Sequence, residues 1–145
     1  MMLQTTTRIL LTAGILLGSF QPLLADVRDA RDRSYEIAQS SRRRGYFMTP
    51  TGIQGHLGQG EYFQVNLQVQ KGLDYCILVG GDARVSNIDL YVFDELDNVW
   101  QHDTRSQKDA GVEQTANYTG ILKVYIHMRQ ANGLASFSVL AGRRS

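Results

Sequence analysis

Residues 62–70 read YFQVNLQVQ, and this stretch decides the fold class of the chain. Apolar side chains occupy every second position, at Phe63, Val65, Leu67 and Val69, with tyrosine or amide side chains at the positions between them. Successive side chains of a β-strand point to opposite faces. This period of two therefore predicts a strand with one face buried and the other in contact with solvent.

The same alternation recurs in short runs along the chain after Gly45. Turn signals separate these runs at intervals of about 8–12 residues, and no helical pattern lies between them. Residues 46–59 contain Pro50 and three glycines, which indicates one or two irregular edge strands. We therefore predict an all-β domain over residues 46–145, an antiparallel, jelly-roll-like β-sandwich of about seven to nine strands.

Residues 1–25 have the pattern of a secretory signal peptide. Arg8 is the only charge, residues 9–20 are largely apolar, and a small residue, Ala25, ends the stretch. The apolar run is shorter than the roughly 20 residues that a membrane-spanning helix needs. We therefore expect cleavage after Ala25 and a periplasmic or secreted protein with no transmembrane segment after that cleavage.

Residues 26–45 are predicted to form a short N-terminal helix. Asp26 and Asp29 stand at its start and the arginines of residues 42–44 at its end, which suits the helix dipole. Gly45 supplies a left-handed stop. The arginines are open to two interpretations: charge matching at the end of a solvated helix, or a docking patch for anionic lipid or glycan.

The charge balance excludes one class of partner. The chain has 15 basic and 14 acidic residues, and the predicted signal peptide removes one arginine and no acid, leaving 14 of each. A nucleic-acid-binding domain needs a basic face to neutralise phosphates. We therefore expect no nucleic-acid partner.

Residues 87–104, NIDLYVFDELDNVWQHDT, hold a concentration of acids among residues typical of strands. Oxygen-rich side chains of this kind are what calcium prefers. Asp and Asn also favour turns without any metal, because their side chains bond to nearby backbone. Both hypotheses stay open: the turn has either no cofactor or a calcium ion, for which the candidate ligands are Asp94, Asp97, Asn98 and Asp103.

Aromatic side chains lie around the same stretch. Tyr91 and Phe93 share the strand face opposite Leu90 and Val92. If the helix leaves that face uncovered, exposed rings can stack on sugar rings or hold a peptide; if it is covered, the rings are core. The candidate ligand-binding residues are Tyr91, Phe93, Trp100 and Tyr125.

Catalytic signatures are weak. Cys76 lies among strand residues with no family signature around it, so a buried thiol is favoured over a nucleophile. The histidines, His56, His102 and His127, form no His-x-His or His-x-x-x-His pair. The chain contains no Gly-x-Ser-x-Gly and no His-Glu-x-x-His sequence. We therefore predict a protein that is not an enzyme, with a small hydrolase as a remote alternative.

One family shares this order of elements. Residues 89–94 read DLYVFD, Gly72 and Tyr75 precede them, and Gly120 opens a late strand. Over residues 58–142 the chain resembles bacterial pre-peptidase C-terminal domains. The resemblance implies a jelly-roll-like sandwich outside the cytoplasm and the role of an accessory module for binding or secretion.

Together these observations predict an exported, non-catalytic binding or accessory protein with a glycan or peptide ligand. The alternative is a structural partner of an envelope complex, docked through the N-terminal helix.

Overall fold

The structure, a computed structural model, describes residues 3–4, 21–50 and 52–145, with side chains from Val27 onward except at position 51. The predicted signal peptide, residues 1–25, lies mostly outside the described residues and stays a prediction. Within the described part, no helix is long and apolar enough to cross a membrane. The elements in chain order are β1 Leu3–Gln4, α1 Gln21–Arg43, β2 Phe47–Met48, β3 Ile53–Leu57, β4 Tyr62–Val69, β5 Asp74–Gly81, β6 Val85–Phe93, β7 Val99–Asp103, β8 Asp109–Thr115, β9 Gly120–Ala131 and β10 Ala135–Arg144.

The strands form two antiparallel sheets. The front sheet has the order β1-β4-β9-β6-β7, and the back sheet has the order β2-β10-β5-β8, with β3 also paired to β10. The predicted β-sandwich is confirmed. The irregular segment before β4 supplies β2 and β3, as the proline and glycines of residues 46–59 indicated.

The core lies between the sheets and follows the predicted alternation. In β4, Val65, Leu67 and Val69 are buried, while Tyr62 points outward and is 55% exposed. Strand β9 follows the same rule, and so do the apolar positions of β6, where Asn87 and Asp89 are buried as well. The buried apolar side chains of β6 and β9 belong to the same core cluster as Ile77, Val79, Phe137 and Val139 of the back sheet. They are Ile88, Leu90, Val92, Leu122, Val124, Ile126 and Met128.

Helix α1 packs on the outer face of the back sheet through small residues. Ala30, Ser34 and Ala38 are fully buried, and the Ser34 hydroxyl donates to Ser138 Oγ at 3.1 Å. A Cβ built on Gly80 of β5 would lie 2.7 Å from the Ser34 nitrogen, so only glycine permits this approach. Because α1 packs on the back sheet, it does not cover the outer face of the front sheet.

The C-terminal end of α1 lies where the sequence predicts it, whereas the N-terminal end lies earlier in the chain than predicted. Gly45 has φ of 91°, and the amides of Gly45 and Tyr46 donate to the carbonyls of Arg42 and Ser41 at 3.0 and 3.1 Å. These are the two hydrogen bonds of a Schellman stop. The helix begins at Gln21, five residues before the predicted start at Asp26.

Candidate functional site

Four aromatic side chains form an open cleft on the outer face of the front sheet. They come from three neighbouring strands, β4, β9 and β6, and the cleft has a volume of about 230 Å³. This is smaller than the roughly 300 Å³ from which pockets for drug-sized molecules begin, so it suits one ring-sized unit of a ligand. We call this set the aromatic surface; its residues are Tyr62, Tyr91, Phe93 and Tyr125.

Strand register brings these rings together. Tyr91 of β6 lies directly opposite Tyr125 of β9, and Phe93 meets the Tyr125 ring edge-on, with centroids 5.6 Å apart and an interplanar angle of 80°. Opposite Tyr125 on its other side stands Gln64, whose amide donates to Asn66 Oδ1 at 3.2 Å. Amide groups of β4 therefore lie next to the rings that line the cleft.

A fully buried carboxylate lies beside the aromatic surface. Asp89 points to the outer face of β6, yet its side chain is 0% exposed. The Tyr91 hydroxyl and Arg129 Nη1 each lie 3.5 Å from Asp89 Oδ2, and His127 Nδ1 lies at 3.9 Å. Tyr62 closes this group from above, stacked parallel to His127 at 4.1 Å.

The electrostatics of this group follow from burial and from Asp89. Burial lowers the pKa of His127, and Arg129 adds to this, while the Asp89 carboxylate opposes it. Burial, and then the Asp89 charge, raises the pKa of Tyr91. His127 is therefore favoured as a neutral ring beneath Tyr62, and the Tyr91 hydroxyl as a protonated donor.

Three of the four predicted ligand-binding residues belong to the aromatic surface, and Trp100 does not. Trp100 is 8% exposed and belongs to the core between the sheets. The pairing of β6 with β7 shifts by one residue between Val92 and Phe93, so that Gln101 pairs with Val92 and Val99 with Phe93. This β-bulge places Trp100 on the core side of β7 and separates it from Phe93.

The acidic turn is held by its own hydrogen bonds. Asp94 Oδ1 accepts the amides of Leu96 and Asn98, both at 2.9 Å, and its Oδ2 accepts the Asn98 side chain at 3.2 Å. The backbone bond from Asn98 is the main cause that lowers the pKa of Asp94. Asp97, at φ 63°, pairs with Lys123 at 2.7 Å. These hydrogen bonds and the ion pair are the local contacts that the turn hypothesis expects.

Asp103, the fourth predicted calcium ligand, has partners of its own at the end of β7. It accepts two bonds from the Arg105 guanidinium, at 2.8 and 2.6 Å, and one from the Gly111 amide at 3.0 Å. Burial alone would raise the pKa of Asp103, but these bonds outweigh it and hold the pKa below its ordinary value. In the part of the chain that the structure describes, no three His, Cys, Asp or Glu side chains are grouped to hold a metal. Calcium stays a prediction.

The two candidate nucleophiles, Ser136 and Cys76, are buried, whereas the ring of His56 is exposed. His56 Nδ1 lies 2.9 Å from Ser136 Oγ, but Ser136 is 0% exposed. The nearby Asp82 carboxylate accepts the Ser136 backbone amide at 3.0 Å. Cys76 is also 0% exposed, and burial raises its pKa to about 11. A substrate in solvent does not reach either nucleophile in this arrangement.

The chain matches no family model, and no curated protein matches it. The resemblance to pre-peptidase C-terminal domains therefore stays a prediction. Among solved structures, PliG of Aeromonas hydrophila, a periplasmic lysozyme inhibitor of g-type lysozyme, is similar with a TM-score of 0.53 and 12% identity over 70% of this chain and 90% of that one. A CBM4 structure gives a TM-score of 0.46 and 10% identity over 69% of this chain and 79% of that one. At this identity PliG shows a shared sandwich fold and nothing finer, and the CBM4 likeness is too distant to support an inference.

Proposed function

We propose that the chain is an exported, non-catalytic binding protein whose aromatic surface binds glycan. The observation that carries this proposal is the position of α1: it covers the back sheet and leaves the cleft of four aromatic rings open on the front sheet. Exposed ring faces suit the apolar faces of sugar rings, and the neighbouring amides of Gln64 and Asn66 suit their hydroxyl groups. The proposed location is the periplasm or the outside of the cell, in keeping with the predicted signal peptide.

A glycan fits this surface better than a peptide held by charge. The mature chain is formally neutral, and Lys123, at one side of the cleft, is already paired with Asp97. The cleft is also open and small, which suits a single sugar unit of a longer glycan. Peptide binding is therefore the rival outcome of the same experiment.

The experiment is a glycan array probed with the mature chain, followed by calorimetric titration of the best ligand. We expect Phe93→Ala and Tyr91→Ala each to weaken binding at least about tenfold, which corresponds to about 1.4 kcal/mol. The matched control is Phe47→Ala: Phe47 is an aromatic residue 82% exposed on β2 of the back sheet, outside the cleft.

Three results would contradict the proposal. The first is an array with no bound glycan when a peptide library does yield a ligand. The second is a glycan whose affinity is unchanged in both cleft variants. The third is equal loss in Phe47→Ala, which would indicate general apolar adhesion.

The second candidate function, docking into an envelope complex through α1, has a narrower basis. The solvent side of α1 carries exposed arginines, including Arg28, Arg42 and Arg43. Arg44 is already used within the domain, where its Nη1 donates to Glu113 Oε2 at 3.1 Å. Since the helix is packed on the sandwich, Arg42 and Arg43 at its end fit charge matching with the helix dipole better than a free docking element.

A further inference from the structure

Asp89 differs from the other buried carboxylates of the described residues. Asp82 accepts two backbone amides, at 2.9 and 3.0 Å, one on each oxygen. Asp103 accepts four bonds between 2.6 and 3.2 Å. Asp89 is 0% exposed, its Oδ2 has only contacts of 3.5 Å or longer, and its Oδ1 has no partner among the described residues.

Such a group weakens a fold. A buried carboxylate loses its hydration, and long contacts on one oxygen return little of that free energy. Arg129 compensates the charge only from the solvent side, since its side chain is 57% exposed. Buried polar groups without full satisfaction call for an explanation other than stability, and sites of function are where such exceptions are expected.

The neighbours of Asp89 indicate what that function is. The Tyr91 hydroxyl points at Oδ2, and Tyr91 is one wall of the cleft. His127 stands directly opposite Asp89 in the strand register, and Tyr62, a second wall of the cleft, stacks on the His127 ring. The Asp89 carboxylate therefore lies 3.5 Å from the hydroxyl of one cleft ring, and it packs beside the imidazole on which a second cleft ring stacks, at 3.9 Å and without a hydrogen bond to Nδ1.

Resting on the proposed glycan-binding function, we propose that Asp89 is the positioning residue of the aromatic surface. It fixes the plane of Tyr91 through the hydroxyl group and the plane of Tyr62 through His127. A ligand then meets rings that already stand in the binding orientation, which reduces the entropy lost on binding. Asp89 itself does not touch the ligand.

The test compares Asp89→Leu and Asp89→Asn with Asp82→Asn as the matched control. Asp89→Leu fills the site without an acceptor, and it leaves no charge buried because Arg129 reaches solvent. We expect its melting temperature to equal or exceed that of the wild type and its glycan affinity to fall about tenfold. Asp89→Asn keeps an acceptor oxygen and should retain affinity within about threefold. Asp82→Asn should lower the melting temperature and leave affinity unchanged.

A readout without ligand separates this inference from the proposed function. Ring signals of ¹³C-labelled tyrosine report orientation, and Tyr118, whose hydroxyl donates to the Ile121 carbonyl at 2.6 Å away from Asp89, is the internal reference. In Asp89→Leu we expect the Tyr62 and Tyr91 signals to shift or broaden and the Tyr118 signal to stay. If the wild type binds no glycan but the rings respond in this way, the glycan proposal fails and the positioning role stands. Unchanged ring signals, or a melting temperature that falls in parallel with affinity in both Asp89 variants, would refute the positioning role.

Discussion

The ring of Tyr62 lies parallel to the imidazole of His127, with centroids 4.1 Å apart and planes within 3°. The two residues are directly paired across β4 and β9. A neutral imidazole is the better partner for burial beneath a tyrosine ring, because a charged one would lose its hydration. The stacked pair therefore makes the front sheet sensitive to the protonation of one histidine.

Stability should fall as the pH drops below about 6.5. Burial lowers the pKa of His127 in the folded state, so the unfolded chain binds this proton at higher pH and acid favours unfolding. The groups that face His127 are Tyr62, Asp89 and Arg129. We expect melting temperatures of His127→Phe, which keeps the stacked ring, to fall less between pH 7 and pH 5 than those of the wild type. Parallel curves for the two proteins would exclude His127 as the group responsible.

Asp94→Ala should loosen the turn between β6 and β7. The change removes the acceptor of two backbone amides and one side-chain amide. We expect a clearly lower melting temperature. Asp97→Ala removes an exposed pairing with Lys123 and places alanine at a left-handed φ of 63°, so its melting temperature should fall less. The same thermal scans with added calcium test the cation hypothesis. A calcium-dependent rise in the wild type that is lost in both variants would establish a cation site at this turn.

Gly80→Ala should destabilise the contact between α1 and the back sheet. The added Cβ would lie 2.7 Å from the Ser34 nitrogen and 3.0 Å from the Ala30 carbonyl oxygen, both helix backbone atoms. Overpacking of this kind lowers the free energy of unfolding by about 1–3 kcal/mol. Urea denaturation measures the change. Gly58→Ala is the control, because its Cβ would meet the flexible Glu61 side chain; equal losses in the two variants would speak against close helix packing.

Cys76 should react slowly with thiol reagents in the folded protein. Burial raises the pKa of the thiol to about 11, and its S–H group donates to Met48 Sδ at 3.4 Å. The thiolate is the reactive form, and this site disfavours it. We expect labelling by a colorimetric disulfide reagent at pH 8 to be far slower than in urea. Labelling as fast as that of free cysteine would indicate an accessible thiol.

The sequence predicted the strands well where one face of a strand meets the core. In β4 the alternation of apolar and polar residues from Phe63 to Val69 predicts directly which side chains face the core. The sequence also predicted Tyr91 and Phe93 on the outer face of β6, because the two-residue period of a strand alone determines which face a side chain points to. The stop of α1 at Gly45 was equally readable, since the left-handed backbone there favours glycine.

Other features depend on contacts between distant segments. The side of the sandwich that α1 covers is set by the space above Gly80, which no local pattern records. The inward position of Trp100 follows from a one-residue shift between β6 and β7. Asp89 is buried beside the ring of His127, on which Tyr62 stacks across β4 and β9. Alternation predicts faces, but it does not predict which face a neighbouring element covers.

Trp100 is the only tryptophan of the chain, and it lies in the core away from the aromatic surface. Its fluorescence emission should therefore change when the sandwich unfolds, and it should not change when a ligand stacks on the tyrosines. Excitation at the red edge of the absorption band selects this fluorophore alone. The protein thus contains an intrinsic optical probe with which unfolding can be followed separately from ligand occupancy, without any added label.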